Sequence, residues 1–250
     1  RASYVALAPL MWILVPLALL VIKTKPADMG LYPNGVEAPE AVAEDNAKTL
    51  PLTSKEATLK MALTKPTFWL VAISFLLAGF GESGVTQSQV PYLEDISCPV
   101  AIAASTLAVV GIWSSIGKLI FGWFCDWMPA KYARAIGLGS LAAATGILIN
   151  VRPASHPALL WVYATIKGFG AGSWMPTMSI HTSTSFGLTS HGVIMGTLSL
   201  AQSFSNGIGP LVAAYLYDTI GSYDWAFNII IALFVVALIT ILAARRPKLL

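Results

Sequence analysis

Seven apolar runs, each about as long as a lipid bilayer is thick, dominate this chain: Tyr4–Ile22, Thr67–Gln89, Ala101–Trp123, Ala135–Val151, Ala158–Ile180, Gly192–Leu216 and Trp225–Ala244. About 20 apolar residues suffice for a helix to cross a hydrocarbon core of ~30 Å. In lipid no water is at hand for an unpaired N–H or C=O, so such runs must be helical. The fold class read from this pattern is all-α and transmembrane, with seven predicted membrane-spanning helices. Charged residues make up only 11% of the chain, against roughly 25% in soluble domains, which excludes an ordinary soluble fold. The net charge of +3 is small and dispersed, so nothing here points to nucleic acid as a partner.

The segment from Lys23 to Lys65 is the one long polar stretch. Pro26, Pro33, Gly35, Pro39 and mixed Lys and Glu give it the character of an aqueous linker, with a short surface helix near Ser54–Leu63. Loop charge then sets orientation. Lys23, Lys25, Lys48, Lys55, Lys60 and Lys65 lie in the linker. Lys118 lies near the end of the third span with Lys131 and Arg134 after it, and Arg245, Arg246 and Lys248 form the tail. If every run crosses, all of these share one side, while the other side holds Arg152 and the initial Arg1. The lysine-rich side is the cytoplasmic one, so the C-terminus is expected inside, in the plasma (inner) membrane. Trp69, Trp123, Trp127, Trp161 and Trp225 fall at span ends, where indole rings favour the headgroup layer. Cys98 and Cys125 fall on opposite sides of the bilayer in this topology, which argues against a disulfide. No metal-ligand spacing is present and no cofactor is expected.

Polar groups inside the spans are the candidates for chemistry. Lys167 sits deep in an apolar stretch, where a charge costs at least ~2.5–3.5 kcal/mol and is seldom decorative. The second span carries Glu82, Gln87 and Gln89, and the sixth carries Gln202, Ser203, Ser205 and Asn206. Gln202 and Asn206 read first as interhelical hydrogen-bonding groups and second as ligand contacts. Counting rise per residue places Glu82 ~22 Å from one face and Lys167 ~13 Å from the other. That leaves ~5 Å of depth between them in a ~30 Å core. His181 and His191 flank a cytoplasmic loop and read as solvated histidines rather than proton relays. No HExxH, GxSxG or paired-carboxylate pattern is present, so enzymatic chemistry is not expected.

Three segments carry more than hydropathy. Gly117, Lys118, Gly122 and Asp126 close the third span, with Lys131 and Arg134 following. This resembles the cytoplasmic loop motif of the major facilitator superfamily, a Gly-x-x-x-Asp core followed by basic residues. Gly122, Asp126 and Lys131 match it, while Trp127, Pro129 and Ala130 stand where that family has Arg, Gly and Arg. Gly168, Gly170, Gly172 and Pro176 make the fifth span one of close packing or of motion. Gly207, Gly209 and Pro210, after Gly196, resemble the eleventh helix of the same superfamily, in the branch of oxalate/formate and monocarboxylate carriers. The run from Lys25 to Gly35 resembles the start of that branch's central loop.

The resemblance covers the whole chain and implies an architecture. Residues 1–22 would be an isolated span equivalent to the sixth helix of a full carrier. Residues 23–66 would be the cytoplasmic linker, and 67–250 the six-helix C-terminal transporter domain. The N-terminal half of the same carrier would then be a missing partner. The implied function is secondary active transport of a small solute by alternating access, with an organic anion such as a carboxylate moved by symport or antiport. Lys167 would attract the anion, Glu82 would balance the charge or couple a proton, and Gln202 and Asn206 would contribute contacts. Gly117, Lys118, Gly122, Asp126, Lys131, Gly207, Gly209 and Pro210 would serve gating or structure. The rival is a seven-helix receptor or photoreceptor with retinal on Lys167. The scarcity of counter-ion carboxylates and the long linker after the first helix count against it.

Overall fold

A computed structural model describes residues 59–152, 158–187 and 190–244. Among these residues all regular structure is helical: α1 (Leu59–Leu63), α2 (Pro66–Asp95), α3 (Val100–Trp127), α4 (Ala130–Ile149), α5 (Ala158–Gly172), α6 (Trp174–Phe186), α7 (His191–Ile220) and α8 (Asp224–Ala243). The apolar run Tyr4–Ile22 and most of the linker lie outside the described residues. So does the tail beyond Ala244. The short helix expected near Ser54–Leu63 is represented by α1.

Helices α2, α3, α4 and α8 are each long and apolar enough to cross a membrane. The fifth predicted span differs from its reading as one helix. It is two helices, α5 and α6, meeting at Ser173. Pro176 has no N–H to offer the Gly172 carbonyl, and the turn before it tightens. The Ser173 amide donates to the Gly170 carbonyl three residues back, at 3.1 Å.

The helix ends follow local chemistry. Pro66 opens α2, where a missing N–H costs nothing. At its other end Ser97 adopts φ 60°. The Ser97 amide donates to the Glu94 carbonyl and the Cys98 amide to that of Leu93, at 2.9 Å each. This is a Schellman cap with serine in the place glycine usually takes. Pro99 and Pro129 immediately precede α3 and α4, and Gly221, at φ 74°, closes α7.

Packing has an internal symmetry. Helix α2 packs chiefly on α7 and α8, α5 chiefly on α3 and α4, and α4 also meets α8. Taking α2–α4 as one set of three passes and α5/α6–α8 as another, the first member of each set packs on the second and third of the other. An internal structural repeat produces that exchange. Small residues permit it. A Cβ on Gly172 would lie 2.7 Å from the backbone of Gly117, so α3 and α5 touch backbone to backbone there. Near one end, the Tyr92 ring lies 5.2 Å from Phe227, edge to face. Its hydroxyl donates to the carbonyls of Ile149 and Val151. This places the C-terminal ends of α2 and α4 together. Large apolar side chains elsewhere face outward, Leu119 at 78% and Phe204 at 72% exposure among them. Trp69, Trp123, Trp127, Trp161 and Trp225 are exposed as well.

Candidate solute-binding site

Lys167 is 3% exposed, on the buried face of α5. Its Nζ donates to Oε1 of Gln89 on α2 at 2.7 Å. The Tyr163 hydroxyl, one turn earlier on α5, donates to the same oxygen at 2.5 Å. Gln89 is fully buried, and its Nε2 finds no partner. A buried ammonium therefore rests on a neutral amide rather than on a carboxylate.

Glu82 lies seven positions before Gln89 on the same helix, about 10 Å along the axis. It lines a cleft of about 370 Å³ together with Ser83, Thr86, Gln87, Trp174, Gln202 and Asn206. Three of the four sequence-predicted solute residues, Glu82, Gln202 and Asn206, thus share one cavity. Lys167 stands apart from its lining. Side chains on a helix tilt toward its N-terminus, and α2 and α5 run in opposite directions. Lys167 accordingly leans back toward Tyr163 and Gln89.

The cleft is rich in polar atoms without protein partners. Oε1 of Gln202 and the Trp174 indole N–H are both buried and unpartnered among the described residues. Two prolines add to them. Pro91 and Pro210 sit inside α2 and α7. They withhold the amide hydrogens that would otherwise close helical bonds to the carbonyls of Gln87 and Asn206. Both of those residues line the cleft. Close approach of α7 to α2 is set by Gly79, where a Cβ would come within 2.9 Å of Ser205, Gln202 and Asn206.

Arg134, read from sequence as a loop charge, is fully buried. This corrects its placement on the cytoplasmic surface. Its Nη1 donates to Oγ of Ser173 at 2.8 Å, at the α5–α6 junction. Its guanidinium carbon stands 4.8 Å from the centre of the Phe75 ring. The sequence did carry the signal. Ala130, Ala133, Arg134, Gly137, Leu138, Leu141, Ala144, Thr145 and Leu148 form one buried stripe at helical spacing.

The gating residues divide into packed and open positions. Gly117 and Gly209 sit at close helix contacts: a Cβ on Gly209 would run into the Phe80 carbonyl. Around Gly122 and Gly207 there is open space. Lys118 and Asp126 are exposed. Asp126 neither caps α4, whose N-cap is Pro129, nor pairs with Lys131, whose Nζ lies 5.0 Å over the Tyr132 ring. His181, expected to be solvated, is 7% exposed and bonds Ser185. It borders a cavity of about 230 Å³ beside Lys131. Among the described residues, no group of His, Cys, Asp and Glu is arranged to hold a metal ion.

Comparison with known proteins bears on the whole chain. The family description Major Facilitator Superfamily matches residues 1–205 and, in a second alignment, 136–249. The chain belongs to the major facilitator superfamily. Monocarboxylate transporter 12 of Xenopus laevis is 26% identical over 171 residues, 66% of this chain and 36% of that protein. The Homo sapiens protein of the same name is 26% identical over 166 residues, 64% of this chain and 31% of that protein. Monocarboxylate transporter 9 of Gallus gallus is 30% identical over 123 residues, 48% of this chain and 24% of that protein. The chain thus spans about a third of the length of the curated monocarboxylate transporter 12 relatives it matches. Superfamily membership and the long apolar helices make it an integral membrane protein.

Proposed function

We propose that this chain is the C-terminal portion of a secondary carrier that moves a small organic anion, a carboxylate by preference, by alternating access. Residues 67–250 form its six-helix domain, Tyr4–Ile22 a seventh span, and 23–66 the cytoplasmic linker. The C-terminus faces the cytoplasm of a plasma-membrane protein. The observation that carries the reading is Lys167, a buried ammonium bonded to the amide of Gln89 and, among the described residues, to no carboxylate. A membrane interior pays several kcal/mol to hold an unneutralised cation, and attraction of an anionic solute repays it. Glu82 supplies the proton-coupling carboxylate, and the cleft beside it supplies unpaired donors and acceptors. The monocarboxylate transporters among the relatives support a carboxylate as cargo.

The test is Lys167→Met in the full-length protein. Expression and membrane insertion should persist while saturable uptake of lactate and formate disappears. Wild-type uptake by that variant would overturn the reading.

A further inference from the structure

A fully buried arginine normally has every donor engaged, because an uncompensated charge in a dry interior is expensive. Arg134 departs from that rule. Nη1 is taken by Ser173 and one face by Phe75, while Nε and Nη2 bond no group among the described residues. These two nitrogens are not a random pair. In a planar guanidinium the Nε–H and one Nη2–H lie parallel along a single edge, the edge that meets both oxygens of a carboxylate. Phe75 and Ser173 hold the plane from two sides, and that edge is left buried and unpartnered among the described residues.

We propose that the Nε/Nη2 edge of Arg134 is a carboxylate-binding fork on the solute path, a second anion station distinct from Lys167. The fork's position on the path rests on the carrier reading above. The fork itself rests on the buried geometry. Two carboxylates are the candidates for such a station: that of the transported anion, and that of Glu82, two turns along α2 from the Phe75 ring that covers Arg134. The site adjoins Ser173, where the α5/α6 pass is interrupted. The Ser173 hydroxyl that holds Arg134 thus ties the fork to that interruption.

The experiment uses the full-length protein, with Arg134→Lys, Glu82→Gln and the double variant. Lysine keeps the charge and loses the fork. Uptake of lactate and formate is measured in proteoliposomes, and melting temperature in detergent. If the solute occupies the fork, Arg134→Lys raises KM by about tenfold or more, the worth of one charge-assisted bond. That rise persists with Glu82→Gln. If Glu82 occupies it, KM holds, turnover falls, and the fall is absent in the Glu82→Gln background. Either result supports the fork. Wild-type KM, turnover and melting temperature in Arg134→Lys would overturn it. Should the wild-type protein carry neither anion, the carboxylate reading of the cargo fails on its own. Melting then decides the fork: non-additive shifts at positions 82 and 134 uphold it, and additive shifts reject it.

Discussion

Lys167 and Tyr163 share a single acceptor, the Oε1 atom of Gln89, which binds the ammonium at 2.7 Å and the phenol at 2.5 Å. One amide oxygen on α2 therefore anchors two successive turns of α5. Gln89→Leu removes that oxygen and strands two buried donors, at a cost of about 1–3 kcal/mol each. Adding Lys167→Met replaces the ammonium with an apolar chain, and an apolar pair fills the gap at little net cost. The melting temperature should drop in Gln89→Leu and recover in part in the double variant, which still strands the Tyr163 hydroxyl. Uptake of anions should remain lost in that double variant. A double variant as unstable as Gln89→Leu alone would mean that the lost contact is packing rather than hydrogen bonding.

What the sequence revealed of this site and what it hid follow from the range of each interaction. Hydrophobic run length is local, so the apolar runs that became α2, α3, α4, α7 and α8 were legible as helices, and all of these but α7 are long and apolar enough to cross a membrane. Polar residues within apolar runs were legible too, and Glu82, Gln202 and Asn206 do meet in one cleft. Partners were not. Gln89 and Lys167 are 78 residues apart, and no pattern along the chain says which amide faces which ammonium. Arg134 was hidden for a different reason. It stands three residues after Lys131, at the mouth of a span, where a basic residue reads as a topology signal. The periodicity of its buried stripe outweighed that position. The interruption at Ser173 was half visible, since Pro176 marked the pass as breakable but not the residue at which the turn would tighten.

The glycine motifs separate into positions that should tolerate a methyl group and positions that should not. Gly209→Ala drives a Cβ into the Phe80 carbonyl, and Gly172→Ala drives one into the Gly117 backbone. Backbone cannot yield as a side-chain tip can, so each should cost about 1–3 kcal/mol. Gly207→Ala and Gly122→Ala meet open space. There alanine should be neutral, or stabilising by about 0.5–1 kcal/mol through lower backbone entropy in the unfolded chain. Melting temperatures of the four variants check this contrast. Equal losses at Gly209 and Gly207 would show that the contacts between α2 and α7 are looser than described.

Orientation can be read from thiol labelling. Cys98 and Cys125 are unpaired and stand at opposite ends of α3, whose 28 residues span about 42 Å. With both replaced by serine, a cysteine at Lys131 should react with an impermeant maleimide only when the cytoplasmic face is open to the reagent. One at Ser155 should react only from the opposite face. The physical basis is the asymmetry of the loops, in which the side bearing Lys118 and Lys131 is rich in cations and the side bearing Arg152 is poor in them. The two positions are joined by a single pass, α4. A membrane-crossing α4 therefore forces them to opposite sides whatever the absolute orientation. Labelling of both from one face would mean that α4 does not cross. Opposite labelling with the sides exchanged would keep the bundle and reverse the inward-facing C-terminus.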